Sequence, residues 1–125
     1  MGFFSGMLGN ASTISNREAQ QELEHILTSS EQVQAAFKLV RDLMVFTDKR
    51  FIIVDKQGLT GKKVDYHSIP YKSISHFSIE TAGHFDLDAE LKIWISGAQL
   101  PAVSKKFNKD QGIFEIQKLL AEVCM

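Results

Sequence analysis

The sequence predicts a mainly β domain of the α+β class, with about seven antiparallel strands in two sheets and a helix at each end. Three observations carry this. The hydrophobic period changes from about 3.6 to 2 at Val33. Strand-length apolar runs then recur every 10 to 15 residues or so, with turn residues between them and no helical pattern inserted. A helical period returns only near the C-terminus.

The first element is a helix expected over residues 15–28. Ser15 and Glu18 have capping-box spacing. Ala19, Leu23, Ile26 and Leu27 form a narrow apolar stripe, and Ser29 and Ser30 end it. Seven runs follow: VQAAFKLVRD, LMVFTD, RFIIVDKQ, KKVDYHSIPY, ISHFSIETA, AELKIWIS and QLPAVSKKF. Each is rich in β-branched or aromatic residues. In AELKIWIS, Leu91, Ile93 and Ile95 share one face, with Lys92, Trp94 and Ser96 on the other. FIIVD is apolar on both faces, as expected of a central strand or one covered by a second layer. Pro70 and Pro101 lack a ladder donor and mark bends or edges, and Tyr71-Lys72-Ser73-Ile74 is expected to carry the chain from one sheet to the other. A last helix is expected from about Asp110 to Val123, capped by Asn108 or Asp110. Its stripe is Ile113, Ile116, Leu120 and Val123, beside Leu119.

Thr47-Asp48-Lys49-Arg50 joins two of these runs without glycine or proline. It reads as a solvated hairpin turn, in which Asp48 bonds local backbone while Lys49 and Arg50 keep the tip wet.

A chain of 125 residues suits one domain. Its net charge of −1 lacks the basic excess of a nucleic-acid binder. Lys105, Lys106 and Lys109 interleave only Phe107, too little for a nucleic-acid platform. The single cysteine, Cys124, allows no internal disulfide and no cysteine-based zinc site. No run reaches the roughly 20 apolar residues of a membrane-spanning helix. Gly2 does not start a myristoylation motif, because Gly6 stands where Ser or Thr is needed. Phe3, Phe4, Met7 and Leu8 form a sticky arm, expected to pack on this domain or a second copy rather than to touch a membrane.

Catalytic and metal constellations are not visible. His25, His67, His76 and His84 show no metal-ligand spacing, with His67 and His76 expected on neighbouring strands. His84 with Asp86 and Asp88 offers at most a weak cation loop. There is no nucleophile elbow, P-loop or dinucleotide fingerprint. No enzyme activity, cofactor or metal is therefore expected. Trp94, Phe77 and Phe85 are expected in the core, or as interface anchors if exposed.

The stretch from Leu43 to Ile74 resembles the bacterial pleckstrin-homology domain family. That family shows a strand ending in T-D-x-R, an apolar strand, a glycine-containing turn and a strand leading to I-P-Y-x-x-I. Here these are Thr47 to Arg50, Phe51 to Val54, Gly58 to Gly61, and Ile69-Pro70-Tyr71-Lys72-Ser73-Ile74. The resemblance covers roughly residues 31–123, so residues 1–30 are taken as an N-terminal arm and helix and 31–125 as the PH-like domain. It implies two bent sheets forming a split barrel closed by the C-terminal helix. It also implies a cytoplasmic, non-catalytic scaffold that forms homo-oligomers, rings among them, and binds protein partners. The expected self-contacts are Phe3, Phe4, Leu8, Leu23 and Ile26. The alternative is a module for anionic lipid or the membrane surface. The basic first-hairpin motif of inositol-phosphate binders is incomplete here, with only Lys38 and Arg41 beside Asp42. The remaining candidate anion contacts are Arg41, Lys56, Lys62 and Lys63, which hairpin parity places at one end, opposite the Thr47–Arg50 turn.

Overall fold

Ser15 and Glu18 cap the first helix in the computed structural model, as their spacing predicts. The Ser15 hydroxyl accepts from the Glu18 N–H at 3.0 Å, and the Glu18 carboxylate accepts from the Ser15 N–H at 3.5 Å. The structure describes residues 14–39, 42–57, 63–81, 88–108 and 113–125. Helix α1 (Asn16–Glu22) is shorter than the predicted 15–28 span. Beyond Leu23 tighter bonds mix with the four-residue ladder: Glu24 N–H reaches the Gln21 carbonyl and Ile26 N–H the Leu23 carbonyl, which also accepts the Leu27 N–H. Side chains take over further groups here, one from the sheet and one local. Arg50 donates to the Ile26 carbonyl at 2.8 Å, and the Thr28 N–H donates to the Glu31 carboxylate at 3.2 Å.

The chain divides after Pro70 into two compact units. The first holds a four-stranded antiparallel sheet in the order β1 (Val33–Lys38), β2 (Leu43–Thr47), β3 (Arg50–Gln57), β4 (Lys63–Pro70). A bulge between Val33 and Ala35 sets Val33 opposite Thr47 and Ala36 opposite Val45. Both therefore stay on the face covered by α1, since alternate residues share a face. There Ala19 and Leu23 pack with Val33, Ala36, Leu43, Val45, Ile52 and Val54. The other face carries Phe37, Phe46 and Phe51. Phe46 and Phe51 stack at 4.6 Å, and Phe37 meets Phe46 edge-on at 6.2 Å. Phe51 to Val54 are buried on both faces, as the apolar run predicts for a central strand.

Tyr71–Ser73 form a 3-10 turn that ends the first sheet and opens the second, the switch expected after Pro70. The second unit holds the sheet β5 (Ile74–Thr81), β6 (Asp88–Ile95), β7 (Val103–Asn108) in that order. Leu91 and Ile93 are buried while Lys92 and Trp94 take the other face, as the alternation predicts. Gly97, with φ of 83°, turns the chain after β6 in a conformation that favours glycine. Helix α2 (Ile113–Cys124) packs on β5 and the 3-10 turn, burying Ile113, Ile116 and Leu120. The cap expected from Asn108 or Asp110 lies outside the described side chains.

Candidate interaction surface

Phe46 and Phe51 are the last register partners of the β2–β3 hairpin, so its turn comprises residues 47–50. Hairpin turns commonly use glycine or asparagine at positive φ. Among the described residues no non-glycine has positive φ. Instead the Thr47 hydroxyl accepts the N–H groups of Lys49 and Arg50, each at 3.0 Å. That side chain does the work of a turn acceptor.

The same hydroxyl lies 2.6 Å from Glu31 Oε2. Glu31 is 1% exposed, and Arg50 Nε and Nη2 donate to its two carboxylate oxygens at 2.9 and 3.0 Å. Arg50 also donates to Ser68 at 2.9 Å. Burial pushes the Glu31 carboxyl pKa up. Hydrogen bonds from Arg50, Thr47 and the Thr28 N–H, with the Arg50 charge, more than offset this and hold it below its ordinary value. The expectation that Arg50 keeps the tip wet is therefore corrected: its guanidinium is spent on a buried carboxylate. Lys49 is exposed. Asp48 bonds across the sheet rather than within its own turn. Its N–H reaches the Gln32 carbonyl at 3.0 Å, and its carboxylate accepts the Gln32 N–H at 2.9 Å.

Of the four expected anion contacts, Lys56 and Lys63 lie among the described residues, on adjacent rungs of the β3–β4 pair. Lys56 forms an ion pair with Glu22 at 3.5 Å. Lys63 is exposed beside Gln57 in register, whereas Arg41 and Lys62 lie outside the described residues. Two rungs in from Lys63, Asp55 and Asp65 face each other. Of the expected self-contacts, Leu23 is fully buried in the chain's own core and Ile26 packs partly buried against it. Phe3, Phe4 and Leu8 lie outside the described residues.

His67 and His76 are not on neighbouring strands of one sheet, because β4 and β5 belong to different sheets. His25 sits 3.3 Å from the Tyr66 hydroxyl, and His76 stacks on half-buried Trp94 at 4.4 Å. His84, Phe85 and the Asp86 loop lie outside the described residues. Among the described residues no three metal-ligating side chains converge, and no helix is long and apolar enough to cross a membrane. Burial raises the Cys124 thiol pKa, which disfavours the thiolate.

The two edges of the four-stranded sheet differ. At β1, side chains of α1 occupy backbone groups. Asn16 donates to the Gln34 carbonyl at 2.9 Å. Gln20 donates to the Glu31 carbonyl at 2.9 Å and accepts the Val33 N–H at 2.8 Å. At the other edge, among the described residues, β4 pairs in the sheet with β3 alone. Its Asp65, Tyr66, His67 and Ser68 are all exposed, on both faces.

Antiparallel sheets of four and three strands with an N-terminal and a C-terminal helix define a pleckstrin-homology-like module. The chain belongs to the bacterial PH domain family, whose profile matches residues 2–124. It is 71% identical, over the full length of both chains, to the uncharacterized protein YjqA of Bacillus subtilis (strain 168). It is also similar to the crystal structure of a DUF1696 family protein with a pleckstrin-homology domain from Shewanella loihica PV-4. That similarity has a TM-score of 0.82 and 50% identity, covering 94% of this chain and 99% of that one. A pleckstrin homology domain from Shewanella amazonensis SB2B matches with a TM-score of 0.80 and 52% identity, over 99% of each chain.

Proposed function

We propose that this PH-like chain is a non-catalytic interaction domain that assembles with copies of itself and offers a surface to other proteins. The observation that carries the reading is the contrast between the sheet edges. Asn16 and Gln20 plug β1. Asp65 to Ser68 of β4 are exposed, and among the described residues the strand pairs on one side only. An open edge is a template for a strand from another chain. Light scattering of the full chain tests this. An assembly larger than one chain at tens of micromolar is expected, and a strict monomer there would sink the reading.

Anionic-lipid binding draws less support. Glu22 engages Lys56, and Asp55 and Asp65 place negative charge close to Lys63. Co-sedimentation with acidic and neutral vesicles is expected to leave equal protein in both supernatants.

A further inference from the structure

We propose that two copies of this chain pair through the outward faces of their α2 helices, antiparallel about a two-fold axis. Phe114 of each copy packs on Met125 of the other, and Lys118 of each lies beside Glu122 of the other. The contact uses no strand edge. It goes beyond the self-assembly reading above, which rests on β4, and it is tested apart from it.

Helix α2 carries two apolar stripes. The inner one, Ile113, Ile116 and Leu120, is buried. The outer one is Phe114, Ala121 and Met125, all exposed, with Phe114 at 53% and Met125 at 92%. The Met125 N–H donates to the Ala121 carbonyl at 3.2 Å, so the helical ladder carries Met125 to a place one turn beyond Ala121. At 100° per residue these three side chains fall within about 40° of one another around the helix. The face opposite a core stripe is ordinarily polar, so an outward apolar stripe marks a contact.

Charge says what that contact is. Lys118 and Glu122, both exposed, run along one side of the stripe. Lys118 is held only by Glu115 of its own turn, at 3.8 Å. Among the described residues Glu122 has no cation within ion-pair distance. One loosely held ammonium and one free carboxylate, a turn apart on the same side, are each other's complement when a second α2 runs the opposite way. A contact in which each residue meets a different one and is met by it in return closes as a two-fold dimer.

The antiparallel register is the one that satisfies both features. With the axis midway along the stripe, Phe114 lies over Met125 of the other copy, and Ala121 lies under the aliphatic stem of its Lys118. The small Ala121 side chain lets the helix axes approach closely there. The Lys118 ammonium then reaches Glu122, twice by symmetry. Sliding one helix by a turn sets Lys118 on Lys118 in one direction. In the other it sets Glu122 on Glu122 and leaves Phe114 without a partner. Parallel pairing sets both like charges together. Two short stripes bury less than a standard interface, so the pairing is reversible and grows with concentration.

Sedimentation velocity on the full chain over a concentration series tests this, with circular dichroism to confirm the fold. The changed residues are exposed, so the variants are expected to fold. Phe114→Ser removes both apolar anchors and is expected to weaken the two-fold step about tenfold or more. Lys118→Glu sets carboxylate against carboxylate twice and is expected to weaken it about tenfold. Adding Glu122→Lys to Lys118→Glu exchanges the partners across the axis and is expected to restore the step. Native chains that only double in mass, and lose that step in Phe114→Ser, support α2 pairing without any use of strand edges. An assembly whose size ignores both single changes overturns α2 pairing and leaves self-assembly through β4 standing. Weakening by both single changes with no recovery in the exchanged variant overturns the antiparallel register, and the proposal with it. A strict monomer at every concentration removes α2 pairing and the self-assembly reading together.

Discussion

Thr47 and Glu31 are joined by a 2.6 Å hydrogen bond that ties a hairpin turn to a buried carboxylate outside the sheet. The Thr47 hydroxyl accepts two N–H groups of its own turn while donating to Glu31. Arg50, the last residue of the same turn, closes the ring by pairing with Glu31 and gripping the Ile26 carbonyl. One short motif therefore shapes the hairpin and fastens the segment after α1 to the sheet.

Removing one member of this cluster should strand the others. Arg50→Ala leaves the Glu31 carboxylate buried without its cation, at an expected cost of about 3 kcal/mol. Arg50→Ala combined with Glu31→Ala should cost less than the sum of the single changes. Urea unfolding of the four proteins in the cycle measures the coupling, and additive losses would show that the pair contributes nothing.

The acid limb of stability should report the same carboxylate. Glu31 is held below its ordinary pKa of 4.5, so on acidification the unfolded chain takes up the proton first. Its contribution is complete above about pH 4.5 and is lost as the pH falls through the lower folded-state value. Glu31→Gln should therefore flatten the fall of unfolding free energy below that pH. At neutral pH it should leave the slope with pH unchanged. Denaturant titrations at successive pH values check the sign.

Thr47→Val keeps the shape of the side chain and removes the oxygen. Two turn N–H groups lose their acceptor and Glu31 loses a donor, for an expected loss of about 2 kcal/mol. Thr47→Ser retains the hydroxyl and should cost less than half as much. Equal losses for the two variants would assign the position to packing rather than to hydrogen bonding.

Strand positions were readable because a one-sided or two-sided strand writes its burial into its own residues. Lys92 and Trp94 alternate with buried Leu91 and Ile93, and Phe51 to Val54 are apolar without interruption. The Glu31–Arg50 pair left no such mark. The partners lie 19 residues apart with no period linking them, and exposed Asp48 and Lys49 make the tetrad look solvated. The end of α1 was hidden for a related reason. Leu23, Ile26 and Leu27 keep helical spacing, but the Ile26 carbonyl is taken by Arg50 from a sheet formed later in the chain, and the Thr28 N–H by the Glu31 carboxylate that Arg50 holds.

The α1 amides at the β1 edge lead to a prediction about association rather than folding. Asn16 and Gln20 satisfy the Gln34 and Glu31 carbonyls and the Val33 N–H, groups that an incoming strand would otherwise bond. Replacing both with alanine removes three hydrogen bonds at a partly exposed site, each worth about 1 kcal/mol at most. Ala19 and Leu23 still bury their side chains, so the helix has reason to stay in place. The expected result is a folded protein with one more open edge, which forms larger assemblies than the native chain as concentration rises. Sedimentation velocity read beside circular dichroism separates this from simple loss of structure. A folded double variant with an unchanged size distribution would show that β1 is guarded by something other than these two side chains.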